Sequence, residues 1–211
     1  MDRVPQRVQG WWRHRTPHER RQATALALIS GVYVLHYLAH SIFFIEDAAI
    51  TLSYARNLVD GEGLVPFPGS ERVEGFSNPL WTWLIAALYA LGVPTWTGAK
   101  VMGAVFGVVT LPFAFGIVRR ARPGANEDVA LIAPLLLALS PQFVMWNASG
   151  LENSLFCLLL TAGVWRLLKE LAGDATRPWS ALVFAFLAMT RPEGMAYAAF
   201  AGTALALDAC A

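Results

Sequence analysis

ATALALISGVYVLHYLAHSIFFI, residues 23–45, decides the class of fold. Arg3, Arg7, Arg13, Arg15, Arg20 and Arg21 precede this apolar run, and Glu46-Asp47 ends it abruptly. About 20 apolar residues suffice to cross a bilayer. A cleaved signal peptide would have a shorter core and a small-x-small site near its end. The run therefore reads as a signal anchor that leaves its arginines in the cytoplasm.

Composition supports a membrane environment. Charged residues make up 15% of the 211, against about 25% in soluble domains, and hydrophobic residues make up 56%. A formal net charge of +1 names no partner and gives no reason to expect nucleic acid. Cys157 and Cys210 both lie in apolar runs and read as small hydrophobes, not as metal ligands or a disulfide pair.

Five more apolar stretches follow, at 79–93, 101–118, 129–146, 151–168 and 179–207, the last broken by Arg191-Pro192-Glu193-Gly194. Asn78 and Pro79 start the first of these as N-cap and first-turn residues, and Gly92 with Pro94 closes it. That leaves a helix of roughly 20 Å, short of a ~30 Å hydrocarbon core.

The positive-inside rule arbitrates whether it spans. If it does not, 12 of the 16 Lys and Arg fall on the cytoplasmic side, leaving Arg56, Arg72, Lys100 and Arg191 outside. If it does, the tally is even. The expectation is thus an all-α membrane protein, a polytopic helical bundle of about six spanning helices. An amphipathic juxtamembrane helix and a short non-spanning helix belong to its first external loop.

The expected divisions are a basic cytoplasmic N-terminus (1–22), a first spanning helix (23–45), an external loop (46–100), a helical bundle (101–207) and a short end (208–211). That end follows an apolar helix without the basic residues of a cytoplasmic re-entry, so the chain reads as an N-terminal fragment. The expected location is the inner membrane of a bacterial cell, with the loop outside.

Residues 46–78 carry Glu46, Asp47, Asp60, Glu62, Glu71 and Glu74 against Arg56 and Arg72. Across 48–60, Ile50, Tyr54 and Leu58 share one helical row, with Leu52, Ala55 and Val59 beside it. Ser53, Arg56, Asn57 and Asp60 form the other face of an amphipathic helix lying on the leaflet.

A carboxylate next to hydrocarbon is costly unless paired or used. Glu46 and Asp47 can therefore serve as a general base, or as an acidic pair complementing a helix N-terminus. Glu152 admits the same two readings, a helix-dipole role or a sugar contact. Arg191 and Glu193 mark either a kink in one long helix or the turn of a hairpin of two short ones. Asn147-Ala148-Ser149 matches a glycosylation sequon, which short sequences produce by chance. His36 and His40 are four apart without a third ligand and read as packing. Trp81, Trp83, Trp96, Trp165 and Trp179 read as interface belts, as do Trp11 and Trp12.

Several of these segments also match a known pattern. Glu46-Asp47-Ala48-Ala49-Ile50, Tyr54-Ala55-Arg56-Asn57-Leu58, Gly61-Glu62-Gly63-Leu64-Val65 and the run Glu71–Asn78 come first. Ser149-Gly150-Leu151-Glu152 and Thr190-Arg191-Pro192-Glu193 follow in the same order. Together they resemble membrane glycosyltransferases of the C-type fold, in particular the terminal arabinofuranosyltransferases of actinobacterial cell walls and their relatives.

The resemblance covers nearly the whole chain. It implies a polyprenyl-phosphate sugar donor, a cell-envelope glycan acceptor outside the cytoplasmic membrane, and an acidic base in the first external loop. The family pattern opens with two aspartates. Here Glu46 takes the first place and Asp47 the second, so both remain candidates for the base, with Asp47 preferred.

Arg56, Arg72 and Arg191 become candidates for the donor phosphate, since a guanidinium fork suits phosphate oxygens. Surface arginines snorkelling to head groups are the plainer alternative. Glu74, Asn78, Glu152 and Glu193 become candidates for substrate contact. No cofactor is implied, and dependence on a divalent metal stays open. A lipid-linked-sugar binding or flipping protein without catalysis would use the same polar rim.

Overall fold

The structure is a computed structural model and describes residues 16–122, 127–175 and 177–209. Nine α-helices and one 3-10 turn make up the described residues, without a strand. The arginines at 3–15, Trp11, Trp12 and Cys210 lie outside the described residues.

Helix α1 (Pro17–Ala39) begins earlier than hydropathy alone suggests. Thr16 and Glu19 form a reciprocal capping box and Pro17 takes the first helical position. It also ends earlier, because residues 40–45 turn to meet other loops. Ile45 N–H donates to Ser149 O at 3.1 Å, and Phe44 packs on Trp96 with centroids 4.4 Å apart.

Helix α2 (Asp47–Val59) matches the expected amphipathic helix in extent. Leu52 and Ala55 join the core formed with Trp81, Ile85, Met102 and Leu155, while Ile50, Leu58 and Val59 stay exposed. One detail departs from the expected faces. Asn57 is buried because the loop at 61–65 wraps over it, and its Nδ2 donates to Val65 O at 2.8 Å.

Helix α3 (Pro79–Ala90) is short and apolar, as its flanking Pro and Gly residues dictate. Helix α4 (Thr95–Ala121) runs 27 residues through the middle of the bundle. The stretch expected as one helix at 129–146 is broken instead. A 3-10 turn (Glu127–Leu131) leads into α5 (Ile132–Leu139), then a 56° bend into α6 (Pro141–Ala148). Pro141 offers no N–H to the preceding turn, and Ser140 Oγ recaps the new helix by accepting from Phe143 N at 3.3 Å. Helix α7 (Asn153–Leu171) follows, then α8 (Trp179–Ala188) and α9 (Gly194–Ala209).

The last pair is a hairpin, not a kinked rod. Phe184 and Leu187 of α8 share a core with Ala201 of α9 and Leu167 of α7.

By length and apolar composition, α1 and α4 can cross a membrane, and the bent α5–α6 unit counts as a third candidate. The protein is thus an all-helical, multi-pass membrane protein with two or three such spans among the described residues, fewer than the six expected. Helices α3, α8 and α9 fall short in length.

Small residues let α4 approach its neighbours. A Cβ on Gly103 would lie 2.2 Å from Asn147 O, and one on Gly107 would lie 1.8 Å from Tyr33 Oη. Without a hydrophobic drive inside lipid, such close contacts carry helix association. Gly103→Val would push against the α6 backbone and the Tyr37 hydroxyl. We expect it to cost about 1–3 kcal/mol, read as a lower Tm in detergent with loss of monodispersity. An unchanged Tm would refute this packing.

Candidate functional site

The helix order sorts the connections into two ends. Tyr37 Oη donates to Lys100 O at 2.8 Å, so the C-terminus of α1 meets the N-terminus of α4. Lys100 Nζ donates in turn to Phe43 O and Ala148 O. Leu80 N–H donates to Met189 O at 3.0 Å. The segments 40–46, 78–80, 95–100, 147–153 and 189–194 therefore share one end of the bundle. At the other end Arg21 pairs with Asp128, Arg119 with Glu127 and Arg120 with Asp174.

At the first end, Glu152 is the centre. It sits just ahead of α7 and is only 5% exposed. Asn78 Nδ2 donates to its Oε2 at 2.6 Å, and Arg191 Nη1 donates to its Oε1 at 2.9 Å. Arg191 Nη2 also reaches Glu193 Oε1 at 3.1 Å. Behind Asn78, Nδ2 donates to Thr51 Oγ1 of α2 at 3.2 Å, and Oδ1 accepts from Thr82 Oγ1 at 3.3 Å. A continuous chain of polar contacts thus joins α2, the start of α3, the α6–α7 connection and the α8–α9 turn.

The hydrogen bond that Arg191 donates to Glu193 is the main reason the Arg191 guanidinium holds its proton even more firmly than usual, with the Glu152 charge adding to it. The same bond keeps the Glu193 carboxyl below its ordinary range. Glu193 is 58% exposed, so this limb is open to exchange with solvent or ligand. Glu152 is enclosed, so that limb is shielded from solvent.

Of the candidates from sequence, Asn78, Glu152, Arg191 and Glu193 meet directly. The others stand apart from that network. Glu46 and Asp47 are exposed and make no ion pair or side-chain hydrogen bond among the described residues. They do sit close by: Ala48 abuts Gly150, where an added Cβ would lie 3.2 Å from Ala48 Cβ. Arg56 and Glu74 are exposed and unpaired among the described residues. Arg72 is exposed and lays its guanidinium against Gly63, 3.6 Å from a Cβ built there.

Several contributors were not singled out in the sequence. Thr51, Thr82 and Lys100 all tie loops together, though nothing in their spacing announces it. Trp81 departs from the expected interface belt. It is fully buried and its Nε1 donates to Gly150 O at 3.2 Å, whereas Trp83, Trp96 and Trp179 remain exposed. Asn147 of the sequon is buried and donates to Tyr33 Oη at 3.0 Å, which closes it to modification. His36 Nδ1 lies 3.0 Å from Ala138 O. Among the described residues no three His, Cys, Asp or Glu side chains are grouped to hold a metal.

A cavity of about 500 Å3 opens beside Arg191, between α6 and α7, with Gln142, Trp146, Asn147 and Asn153 on its walls. Asn153 Nδ2 is buried there without a hydrogen-bond partner among the described residues.

Residues 77–208 match the family model of dolichyl-phosphate-mannose-protein mannosyltransferases. The chain belongs to this family. Membership makes it a membrane glycosyltransferase of the C-type fold, in line with the resemblance read from its sequence. The family match takes in Asn78, Glu152, Arg191 and Glu193, and begins after Glu46 and Asp47. No curated protein and no solved structure matches the chain.

The two limbs on Arg191 are separable by mutation. Glu152→Ala removes a buried acceptor of two bonds and should cost about 2–3 kcal/mol, whereas Glu193→Ala, at a solvent-exposed limb, should lower stability far less. Thermal unfolding in detergent checks this; equal losses would contradict the geometry. Because the Glu193 carboxyl is depressed, its contribution is full above the usual carboxylate range and fades on acidification. The Tm gap between the native chain and Glu193→Gln should therefore persist through neutral pH and narrow as the pH falls below the usual carboxylate range.

Proposed function

We propose that this chain transfers a glycosyl group from a polyprenyl-phosphate donor to a hydroxyl of a cell-envelope glycan. The reaction occurs at the end of the bundle that holds the Glu152 network. Its single strongest support is that network, which brings three connections far apart in sequence to one place beside two unpaired carboxylates.

In this reading Asp47, or Glu46 next to it, takes the proton from the acceptor hydroxyl. The acceptor oxygen then bonds to the anomeric carbon from the face opposite the phosphate, inverting it. The anomeric carbon–oxygen bond breaks and the lipid phosphate leaves with the electron pair. That phosphate leaves already ionised, so it needs cations more than a strong acid.

Arg191 is the proposed phosphate partner. Its exposed bond to Glu193 is exchanged for a phosphate oxygen while Glu152 keeps the fork in place. Arg56 and Arg72, both without carboxylate partners among the described residues, add positive charge to the same end. The cavity at Asn153 and Trp146 offers an amide donor and an aromatic face to the sugar. Glu74 and Asn78 complete the proposed substrate contacts.

The basic end faces the cytoplasm in this proposal. Arg20, Arg21, Arg119, Arg120, Arg122, Arg166, Lys169 and Arg177 gather there, against Arg56, Arg72, Lys100 and Arg191 at the other. Helix α7 and the α8–α9 hairpin then complete a six-span arrangement in the inner membrane of a bacterial cell. The sequence resemblance favours arabinofuranose as the sugar, with another pentose or a hexose as the alternative.

Asp47→Asn and Glu46→Gln test the chemistry. Losing the base should lower transfer about 100-fold or more in at least one of them, measured with a radiolabelled polyprenyl-phosphate sugar, while membrane insertion is unchanged. Full activity in both single variants and in the double variant would refute the base assignment.

The Arg191 fork is already occupied by two carboxylates, which favours a second reading: a subunit that binds or flips lipid-linked sugar without turnover. Saturable binding of the labelled donor with no product, using the intact chain, would establish it.

A further inference from the structure

The opposite end of the bundle carries a feature that glycosyl transfer does not use. A cavity of about 870 Å3 opens between the last turns of α4 and α7. Arg119, Arg120, Arg122 and Lys169 line it, with Phe113 and Trp165 forming an apolar floor.

Helix C-termini concentrate negative partial charge, so one or two cations here would be ordinary. That requirement is already met. Arg120 pairs with Asp174, and its Nε donates to Leu168 O at 3.3 Å. Arg119 pairs with Glu127, which also lines the cavity, at 3.3 Å. Arg122 and Lys169 make no ion pair among the described residues. Four cations thus line the cavity against one lining carboxylate, and two positive charges remain even when Asp174 just outside it is counted.

The apolar floor is also specifically built. Trp165 stands edge-on to Phe113, with centroids 5.5 Å apart, and Lys169 Nζ lies 4.7 Å from its ring centroid. The indole fits only because Gly116 has no side chain: a Cβ there would lie 2.6 Å from Nε1.

Position adds the third argument. The 27 residues of α4 extend roughly 40 Å, longer than a ~30 Å hydrocarbon core. Its last turn therefore reaches the head-group layer. A cavity with an apolar floor and a cationic rim at that depth complements a molecule with an acyl chain and an anionic head.

We propose that this cavity binds the phosphate head group of an anionic glycerophospholipid, with Arg122 and Lys169 on the phosphate and an acyl chain over Phe113 and Trp165. Basic recesses between membrane helices suit such head groups, and the two guanidinium–carboxylate pairs fix the end of α4 to the segments beside the cavity. The inference is independent of the proposed transfer chemistry at the other end.

Native mass spectrometry of the purified full chain, titrated with phosphatidylglycerol or phosphatidylcholine, tests it. The native chain should prefer phosphatidylglycerol, and the double variant Arg122→Gln/Lys169→Gln should lose that preference by about tenfold or more. Arg177→Gln, an exposed charge at the same end that does not line the cavity, should retain it. Trp165→Leu should weaken binding of the whole lipid. An unchanged preference in the double variant would overturn the site. So would an equal loss in Arg177→Gln, which would reduce the effect to general charge. Displacement of the lipid by millimolar inorganic phosphate would overturn the lipid assignment and identify a free-phosphate site.

Discussion

A carboxylate enclosed in an apolar bundle must have partners, and Glu152 finds its two on other connections. That single requirement organises one end of the molecule. Asn78 must stay at the rim to reach Glu152, which pins the start of α3. Arg191 must turn toward the same point, which ends α8 and begins α9. The backbone bond from Leu80 to Met189 and the Trp81 bond to Gly150 then seal the two loops around the ion pair. Without Glu152 the ion pair and the Asn78 hydrogen bond at this junction are lost, and backbone, Trp81 and Lys100 contacts remain to join the loops.

The two ends are built on different principles. The network end keeps its charges few and mutually satisfied at the centre, with Glu46, Asp47, Arg56 and Arg72 left uncommitted at the edge. The basic end gathers cations around helix C-termini and pairs only some of them. Between the ends, close approach at Gly103 and Gly107 holds α4 against α1 and α6. A rigid middle of this kind lets loops at one end hold a fixed geometry without large apolar side chains of their own.

Much of the helical layout is legible in the chain because Pro and Gly punctuate it. Pro79 and Gly92 bound α3, and Arg191-Pro192 separates α8 from α9, since proline cannot continue a helix. The bend at Pro141 obeys the same rule, although the apolar run across 129–146 hides it from hydropathy. The start of α1 escapes hydropathy for the converse reason: its capping box lies in polar sequence ahead of the apolar run. The membership of the site was partly legible, because Glu152 and Arg191 are rare charges in apolar surroundings. The pairing itself was not. Thr51, Thr82 and Trp81 contribute through tertiary contacts that neither periodicity nor spacing encodes, and Asn57 turns inward only because the following loop folds over it.

The proposed transfer requires one end of the bundle to hold both the free carboxylates and the Glu152 network on the outer side of the membrane. In a background lacking the native cysteines, Glu46→Cys, Glu193→Cys and Asp174→Cys place single thiols at exposed positions on the two ends. Labelling of intact cells with a membrane-impermeant thiol reagent is the most direct measurement. Thiols at 46 and 193 should react from outside, while the thiol at 174 should react only after permeabilisation. Reaction of positions 46 and 193 from opposite faces would contradict the account.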